Sequence, residues 1–302
     1  MIHDDRYCAV TKVSLQNLLR WRRERRSKRK DLSYRVPVAK RPEVEFIRAN
    51  RGTPALTWIG HSSFLIQIGG LNLLVDPVWA KRMGFAKRLS PPGLPLDAMP
   101  AADFVLISHS HYDHLDFPTL RKLSGDPTYL VPLGLGELFR RKGFQQVKEF
   151  AWWEQMRRTD IAITFVPARH WSRRTLRDLN KSLWGGWVIH SNGKTIYFVG
   201  DSGYHDEFKT IGKRYRIDVV LMPIGAYEPE WFMKNQHVSP EEAVQSYIDL
   251  QAEWMVPMHY GAFRLADDTP KEALDRLHQS WAQRGLGPER LKVLAQGETL
   301  RF

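Results

Sequence analysis

Phe104-Val105-Leu106-Ile107-Ser108-His109-Ser110-His111-Tyr112-Asp113-His114 is the stretch on which the reading of this chain turns. Residues 104–107 are a short apolar run that reads as a buried strand, so the histidines and the aspartate fall on the loop leaving its C-terminal end. Neutral imidazole and carboxylate suit Zn²⁺, and a catalytic zinc keeps about three protein ligands beside a water. His109, His111, Asp113 and His114 are therefore enough to begin two such sites side by side. The bland alternative is a solvated His-rich loop, and it leaves the rest of the chain unexplained.

Further ligand types recur just past apolar strands. His170 follows Thr164-Phe165-Val166-Pro167, Asp201 follows Ile196-Tyr197-Phe198-Val199-Gly200, and His259 follows Met255-Val256-Pro257-Met258. Histidines placed by chance scatter over helices and surfaces, as His3, His205 and His278 are expected to do.

The chain has 302 residues, 43% hydrophobic and 26% charged, which is ordinary for a globular protein with a sizeable core. Its longest apolar runs, such as Leu71–Val75, fall far short of the roughly 20 residues a membrane span needs. No signal peptide is apparent, and the single cysteine, Cys8, excludes an internal disulfide framework and thiolate zinc ligation. A cytoplasmic location is expected, with peripheral attachment to membrane as an option.

The net charge of +12 is concentrated at the front: residues 20–30 carry eight basic side chains and one acidic. Such a block suits an anionic lipid surface or, less well, nucleic acid, and it can equally be a solvated arm. The preceding Val13, Leu15, Leu18, Leu19 and Trp21 form an apolar stripe on a short helix, so residues 13–30 are read as a candidate contact with an anionic membrane surface. No nucleic-acid partner is expected, and the oligomeric state is left open.

Residues 1–50, basic and interrupted by Pro37 and Pro42, are expected to be an N-terminal extension, with residues 51–302 as one catalytic domain. Within that domain Leu56–Ile59, Phe64–Ile68 and Asn72–Val75 read as a strand meander, followed by strands at Phe104–Ile107 and Tyr129–Val131 and helices at Pro118–Leu123 and Leu135–Lys142. The second half repeats the style. It has strands at Ile161–Val166, Val219–Met222 and Met255–Val256, and a hairpin of Gly186–Ile189 with Thr195–Val199 about Asn192-Gly193. Its helices are Pro240–Leu250, opened by Ser239, and Pro270–Gln283. Meanders followed by strand–helix alternation, twice over, predict an α/β fold of two packed sheets with helices outside.

The ordered set His109-x-His111-x-Asp113-His114, His170, Asp201 and His259 resembles the metallo-β-lactamase superfamily. That resemblance implies a four-layer αββα sandwich and a dinuclear zinc site, two Zn²⁺ per chain. It assigns His109, His111 and His170 to one zinc, Asp113, His114 and His259 to the other, and Asp201 to both. Segments such as Trp58–Ser63, Asp76-Pro77-Val78, His170–Arg174, Gly200–Tyr204, Pro223–Tyr227, Gln236-His237 and His259-Tyr260-Gly261 are similar to the N-acylphosphatidylethanolamine phospholipase D branch. The activity so implied is cleavage of a phosphodiester in N-acylphosphatidylethanolamine-like lipids by a metal-bridging hydroxide attacking phosphorus in line. Catalytic roles fall to Asp113, Asp201 and His237.

By the same resemblance His237 and Gln236 contact substrate, His237 as hydrogen-bond donor or acid for the departing alkoxide; Tyr112, inside the ligand loop, is a candidate donor to a phosphate oxygen, with core packing as the alternative. Asp76 and His61 are candidates to orient the imidazoles from behind. Trp152, Trp153, Trp171, Trp231 and Phe232 are candidates for an apolar entrance, although aromatic residues fill cores as readily. Arg169, Arg173, Arg174 and Arg177 are read first as a solvated face. A competing reading is a cytoplasmic lactonase or esterase of a small phosphorylated metabolite, akin to ascorbate-6-phosphate lactonases. A third, of another class, is a zinc-dependent ligand sensor.

Overall fold

A computed structural model describes residues 7–9, 15–27, 30–84, 86–158 and 160–302. The predicted meander forms strands β1 (Ala55–Gly60), β2 (Ser63–Ile68) and β3 (Leu71–Val75), and a small hairpin follows, β4 (Arg82–Met83) with β5 (Ala86–Lys87). Strands β6 (Phe104–Leu106), β7 (Thr128–Pro132) and β8 (Val147–Phe150) extend the first sheet on the far side of β3. The second sheet holds β9 (Gln155–Arg158), β10 (Ile161–Pro167), β11 (Gly185–Ser191), β12 (Lys194–Phe198), β13 (Val219–Pro223) and β14 (Trp254–Met258). Finally β15 (Thr299–Arg301) returns to pair antiparallel with β1, closing a sheet of seven strands against one of six.

The period-2 pattern of the strands separates two cores. Leu56, Trp58, Phe64, Ile66, Leu73 and Val75 join the main core shared with the second sheet. Between them Leu65 and Leu74, with Val105, point the other way into a smaller core. That smaller core is covered by α2 (Val44–Ala49), α3 (Phe117–Leu120) and α4 (Gly136–Arg141). Trp187 of β11 ties the sheets together, its ring 5.3 Å from Phe150 and its Nε1 donating to the carbonyl of Ile107 at 3.0 Å. On the outer face of the second sheet lie α5 (Glu207–Arg214), α7 (Pro240–Leu250) and α8 (Pro270–Gln283), with α6 (Glu230–Met233) ahead of α7. The layers run helix, sheet, sheet, helix, as expected.

Ser239 opens α7 with a reciprocal cap: its Oγ accepts from the Glu242 amide at 3.2 Å, and its own amide donates to Glu242 at 3.0 Å. The hairpin between β11 and β12 turns on Asn192 and Gly193, both at positive φ (48° and 74°), the backbone a two-residue turn of this kind needs.

The front of the chain packs on the body at several points. Tyr7 and Ala9 are buried, and they bracket His170: the His170 amide donates to Tyr7 and the Ala9 amide donates to His170. Val36 lies in the main core. Helix α1 (Leu15–Ser27) rests on the body through polar contacts, and Lys30 sits between Glu228 and Glu272 at 2.8 and 2.7 Å. Along α1 the apolar stripe is split, with Leu15 and Leu19 facing solvent and Trp21 turned inward. Val13 lies outside the described residues. No helix among the described residues is long and apolar enough to cross a membrane.

Candidate metal centre

Each expected metal ligand follows a strand that ends at one edge of the sandwich. β1, β3 and β6 run in one direction, and so do β10, β12 and β14 in the other sheet. Just beyond their C-terminal ends come His61, Asp76, the 108–114 loop, His170, Asp201 and His259, the ends where parallel-stranded sheets gather ligands. Gly200 makes one of these exits possible. It has φ +70°, and a Cβ there would stand 2.8 Å from the Gly185 carbonyl oxygen and 2.9 Å from Ser108 Cβ.

The result is two separate donor sets of buried or nearly buried groups, overlapped by a third made of Asp201, His237 and His259. His109, His111, His170 and Asp201 form one, and His61, Asp113, His114 and His259 form the other, all donor atoms within each set lying within 4.8 Å of one another. In the first set His111 Nδ1 is 2.8 Å from His109 Nε2 and 3.2 Å from His170 Nε2. In the second, Asp113 Oδ2 lies 3.4 Å from His114 Nε2 and 3.5 Å from His259 Nε2. Asp201 reaches into both: Oδ2 is 3.9 and 3.8 Å from His109 and His170 and 3.2 Å from His114, while Oδ1 is 3.0 Å from His259.

All seven residues expected to ligate metal are thus brought together. His61 stands closer than expected, its Nε2 3.2 Å from Asp113 Oδ2 and its ring 4.2 Å from that of His259. The signal was present, since His61 also follows an apolar strand, Leu56–Ile59.

The surrounding groups fix ring orientation. His114 Nδ1 donates to Asp76 at 2.6 Å, and Asp76 also accepts from the Ser108 amide at 2.7 Å. Ser108 Oγ bonds Asp76 at 2.5 Å and His109 Nδ1 at 2.9 Å. His170 Nδ1 donates to the Gln236 carbonyl at 2.9 Å. These bonds turn Nε2 of His109, His114 and His170 toward the centre, where His114 Nε2, His259 Nε2 and Asp201 Oδ1 are buried without a hydrogen-bond partner. A cluster of orphaned nitrogen and oxygen donors with no thiolate fits a divalent cation such as Zn²⁺.

Electrostatics divide the imidazoles, and burial brings His61 of the second set to about 3. Burial, with the neighbouring imidazoles, drives His109 well below its ordinary pKa, and it brings His111 to about 3 and His170 to about 4. In the second set burial acts the same way on His259, but the Asp201 and Asp113 carboxylates prevail and raise it to about 9. His114 is likewise held well above its ordinary value by Asp201, Asp113 and Asp76 against the effect of burial. Burial also opposes ionisation of Asp113 and Asp201, yet the adjacent imidazoles hold both well below the usual carboxylate range.

The expected substrate contacts line a cavity of about 550 Å³ over the centre, with differing orientations. His237 is buried, its Nδ1 unpartnered and 3.9 Å from Asp201 Oδ2. Gln236 is engaged elsewhere, its Oε1 accepting from Trp171 Nε1 at 2.6 Å. Tyr112 is exposed at the rim, and its hydroxyl donates to the Arg174 carbonyl at 3.1 Å. Trp171 and Phe232 line the cavity as expected, whereas Trp152 packs edge-on against Tyr7 and Trp184.

Arg174 departs from the solvated face expected of it. Its Nη1 donates to the carbonyls of Ser110 and Leu115 at 2.7 and 2.9 Å, bracing the ligand loop. His205, expected on the surface, is buried against Phe208, while His278 is exposed and His3 lies outside the described residues.

The family described as Beta-lactamase superfamily domain matches residues 71–260. N-acyl-phosphatidylethanolamine-hydrolyzing phospholipase D 1 of Caenorhabditis elegans is 37% identical over 226 residues, 68% of this chain and 64% of that protein. The chain therefore spans less than two thirds of that relative. A metal-dependent hydrolase of Methanopyrus kandleri is 30% identical over 221 residues, 72% of this chain and 88% of its own length. Among solved structures Igni18, a metallo hydrolase from Ignicoccus hospitalis, has a TM-score of 0.65 at 26% identity, covering 83% of this chain and 99% of that one. Fold, donor sets and relatives define a metal-dependent hydrolase. The chain belongs to the metallo-β-lactamase superfamily.

Proposed function

We propose that this chain is a dinuclear zinc phosphodiesterase of phospholipase D type, acting on N-acylphosphatidylethanolamine-like lipids. The observation that carries the reading is the position of Asp201, one carboxylate shared by two converging donor sets. His109, His111 and His170 would hold one cation, Asp113, His114 and His259 the other, and Asp201 both. A bound pair of such cations lowers the pKa of water and neutralises charge developing on a phosphoryl oxygen.

The protein groups supply orientation. Asp113 and Asp201, both ionised, accept hydrogen bonds from the attacking water and fix its direction. Burial, foremost, keeps His237 neutral, so its ring N–H serves as a donor to a phosphate oxygen and not as a preformed cationic acid. The substrate class is supported by the name of the nematode relative and by the apolar lining of the cavity beside these groups.

The outer side of α1 supports an anionic membrane as the place of action. Leu15 and Leu19 are exposed there, and so are Arg22, Arg23 and Arg26.

The test is turnover on bis(p-nitrophenyl) phosphate, N-acylphosphatidylethanolamine and a sugar-phosphate lactone, with metal stripped and zinc restored. We expect the lipid to be preferred, chelation to abolish turnover and Asp201→Asn to lower it by about 100-fold or more. Preference for the lactone, or turnover indifferent to metal, would refute the reading.

A further inference from the structure

The cavity over the metal centre has both a polar and an apolar lining. His111, Asp113, Asp201 and His237 make the polar lining. Of the other lining residues Ala226, Met233, Phe232 and Leu265 pack together, and Leu265 also joins the cluster that includes Met83, so the apolar lining is continuous. Trp21 completes it, its ring centroid 5.5 Å from that of Phe232.

Trp21 comes from α1, outside the span 71–260 that matches the superfamily. Its position is fixed. Nε1 donates to Asp267 at 2.5 Å, and Arg25 pairs with the same carboxylate at 3.1 Å. One turn away Glu24 accepts from Trp231 Nε1 at 2.9 Å, and the Arg20 guanidinium lies 4.1 Å over the Trp231 ring. An indole held this firmly against a cavity wall presents a large flat apolar surface at little entropic loss when a ligand arrives.

We propose that Trp21 is a specificity-determining residue: it completes an apolar subsite for the hydrocarbon chain of a substrate whose phosphate meets the polar lining. The inference rests on the phosphodiesterase reading for the phosphate and adds the residue that selects for the chain.

The test is calorimetric titration of the zinc-loaded protein with ethyl, octyl and dodecyl phosphate below their aggregation concentrations, in wild type, Trp21→Ala, Trp21→Phe and Phe232→Ala. Wild-type affinity should rise by about fourfold for each methylene buried on the wall. Trp21→Ala should weaken dodecyl phosphate by about tenfold or more while ethyl phosphate stays within about twofold, and Trp21→Phe should recover most of the loss. Phe232→Ala, on the same wall, should repeat the selective loss.

Equal weakening of the short and long ligands would make Trp21 structural, and chain-length independence in wild type would remove the subsite; either overturns the proposal. Binding needs no turnover, so loss of the phosphodiesterase reading would register separately, as chain-length selectivity without diester cleavage.

Discussion

His114 Nδ1 donates to Asp76 across 2.6 Å, and neither side chain reaches solvent. Asp76 is also tied to the Ser108 amide and hydroxyl, so one carboxylate orients His114 directly and His109 through Ser108. Asp76→Ala leaves these donors buried without an acceptor. Metal affinity should fall by about 10–100-fold, measured by competition with a chromophoric chelator. Unchanged affinity would mean that packing alone sets the rings.

Metal uptake should release protons from one donor set only. His111 and His170, with values near 3 and 4, are neutral at pH 7, whereas His259, raised to about 9 by Asp201 and Asp113 against burial, carries a proton there. A cation must displace that proton. Below about pH 9 the affinity of the second set should therefore rise by about tenfold per pH unit for each proton lost, while the first set stays flat above about pH 5. Calorimetry in buffers of different ionisation enthalpy reads the proton count for each step, and identical counts for both would contradict this assignment.

Gly200→Ala forces a Cβ to within 2.8 Å of a backbone oxygen at a φ of +70°. The strand exit must shift, and Asp201 with it. A stability loss of about 1–3 kcal/mol is expected from the backbone, accompanied by weaker retention of both cations. Chemical denaturation and metal analysis of the same preparation check the two effects together.

Docking of α1 on an anionic surface predicts salt-sensitive sedimentation with vesicles containing phosphatidylglycerol. Changing Arg22, Arg23 and Arg26 to Glu should weaken binding by about 1 kcal/mol or more for each side chain. Replacing the exposed Leu15 and Leu19 with Ser should weaken it further, even at high salt. Retention of full binding by both variants would exclude this face.

The ligand loop was legible because chemistry and periodicity coincide there: an apolar strand followed by four potential ligands admits few other meanings. His170, Asp201 and His259 obeyed the same rule at other strand ends. His61 obeyed it too, yet its single imidazole between β1 and β2 carried no local cluster to raise it above a supporting role.

Arg174 was less accessible to sequence reasoning. A guanidinium among other basic residues looks solvated until the fold brings the carbonyls of Ser110 and Leu115 to it. Short edge strands such as β9, with three arginine- or glutamine-type side chains among its four residues, carry no hydrophobic alternation and owe their conformation to β10. The placement of Trp21 depended on tertiary contacts with Asp267 and Phe232, far along the chain.

His61 and His259 both sit in the left-handed backbone region, at φ of 54° and 62°, and the His259 amide donates to the His61 carbonyl at 3.2 Å. Each such residue holds about 1–3 kcal/mol of strain that the surroundings must overcome. A cation that binds the native form alone adds stability in proportion to the logarithm of its free concentration. The thermal midpoint of a purified batch is consequently a gauge of how fully its centre is loaded, readable before any substrate has been chosen.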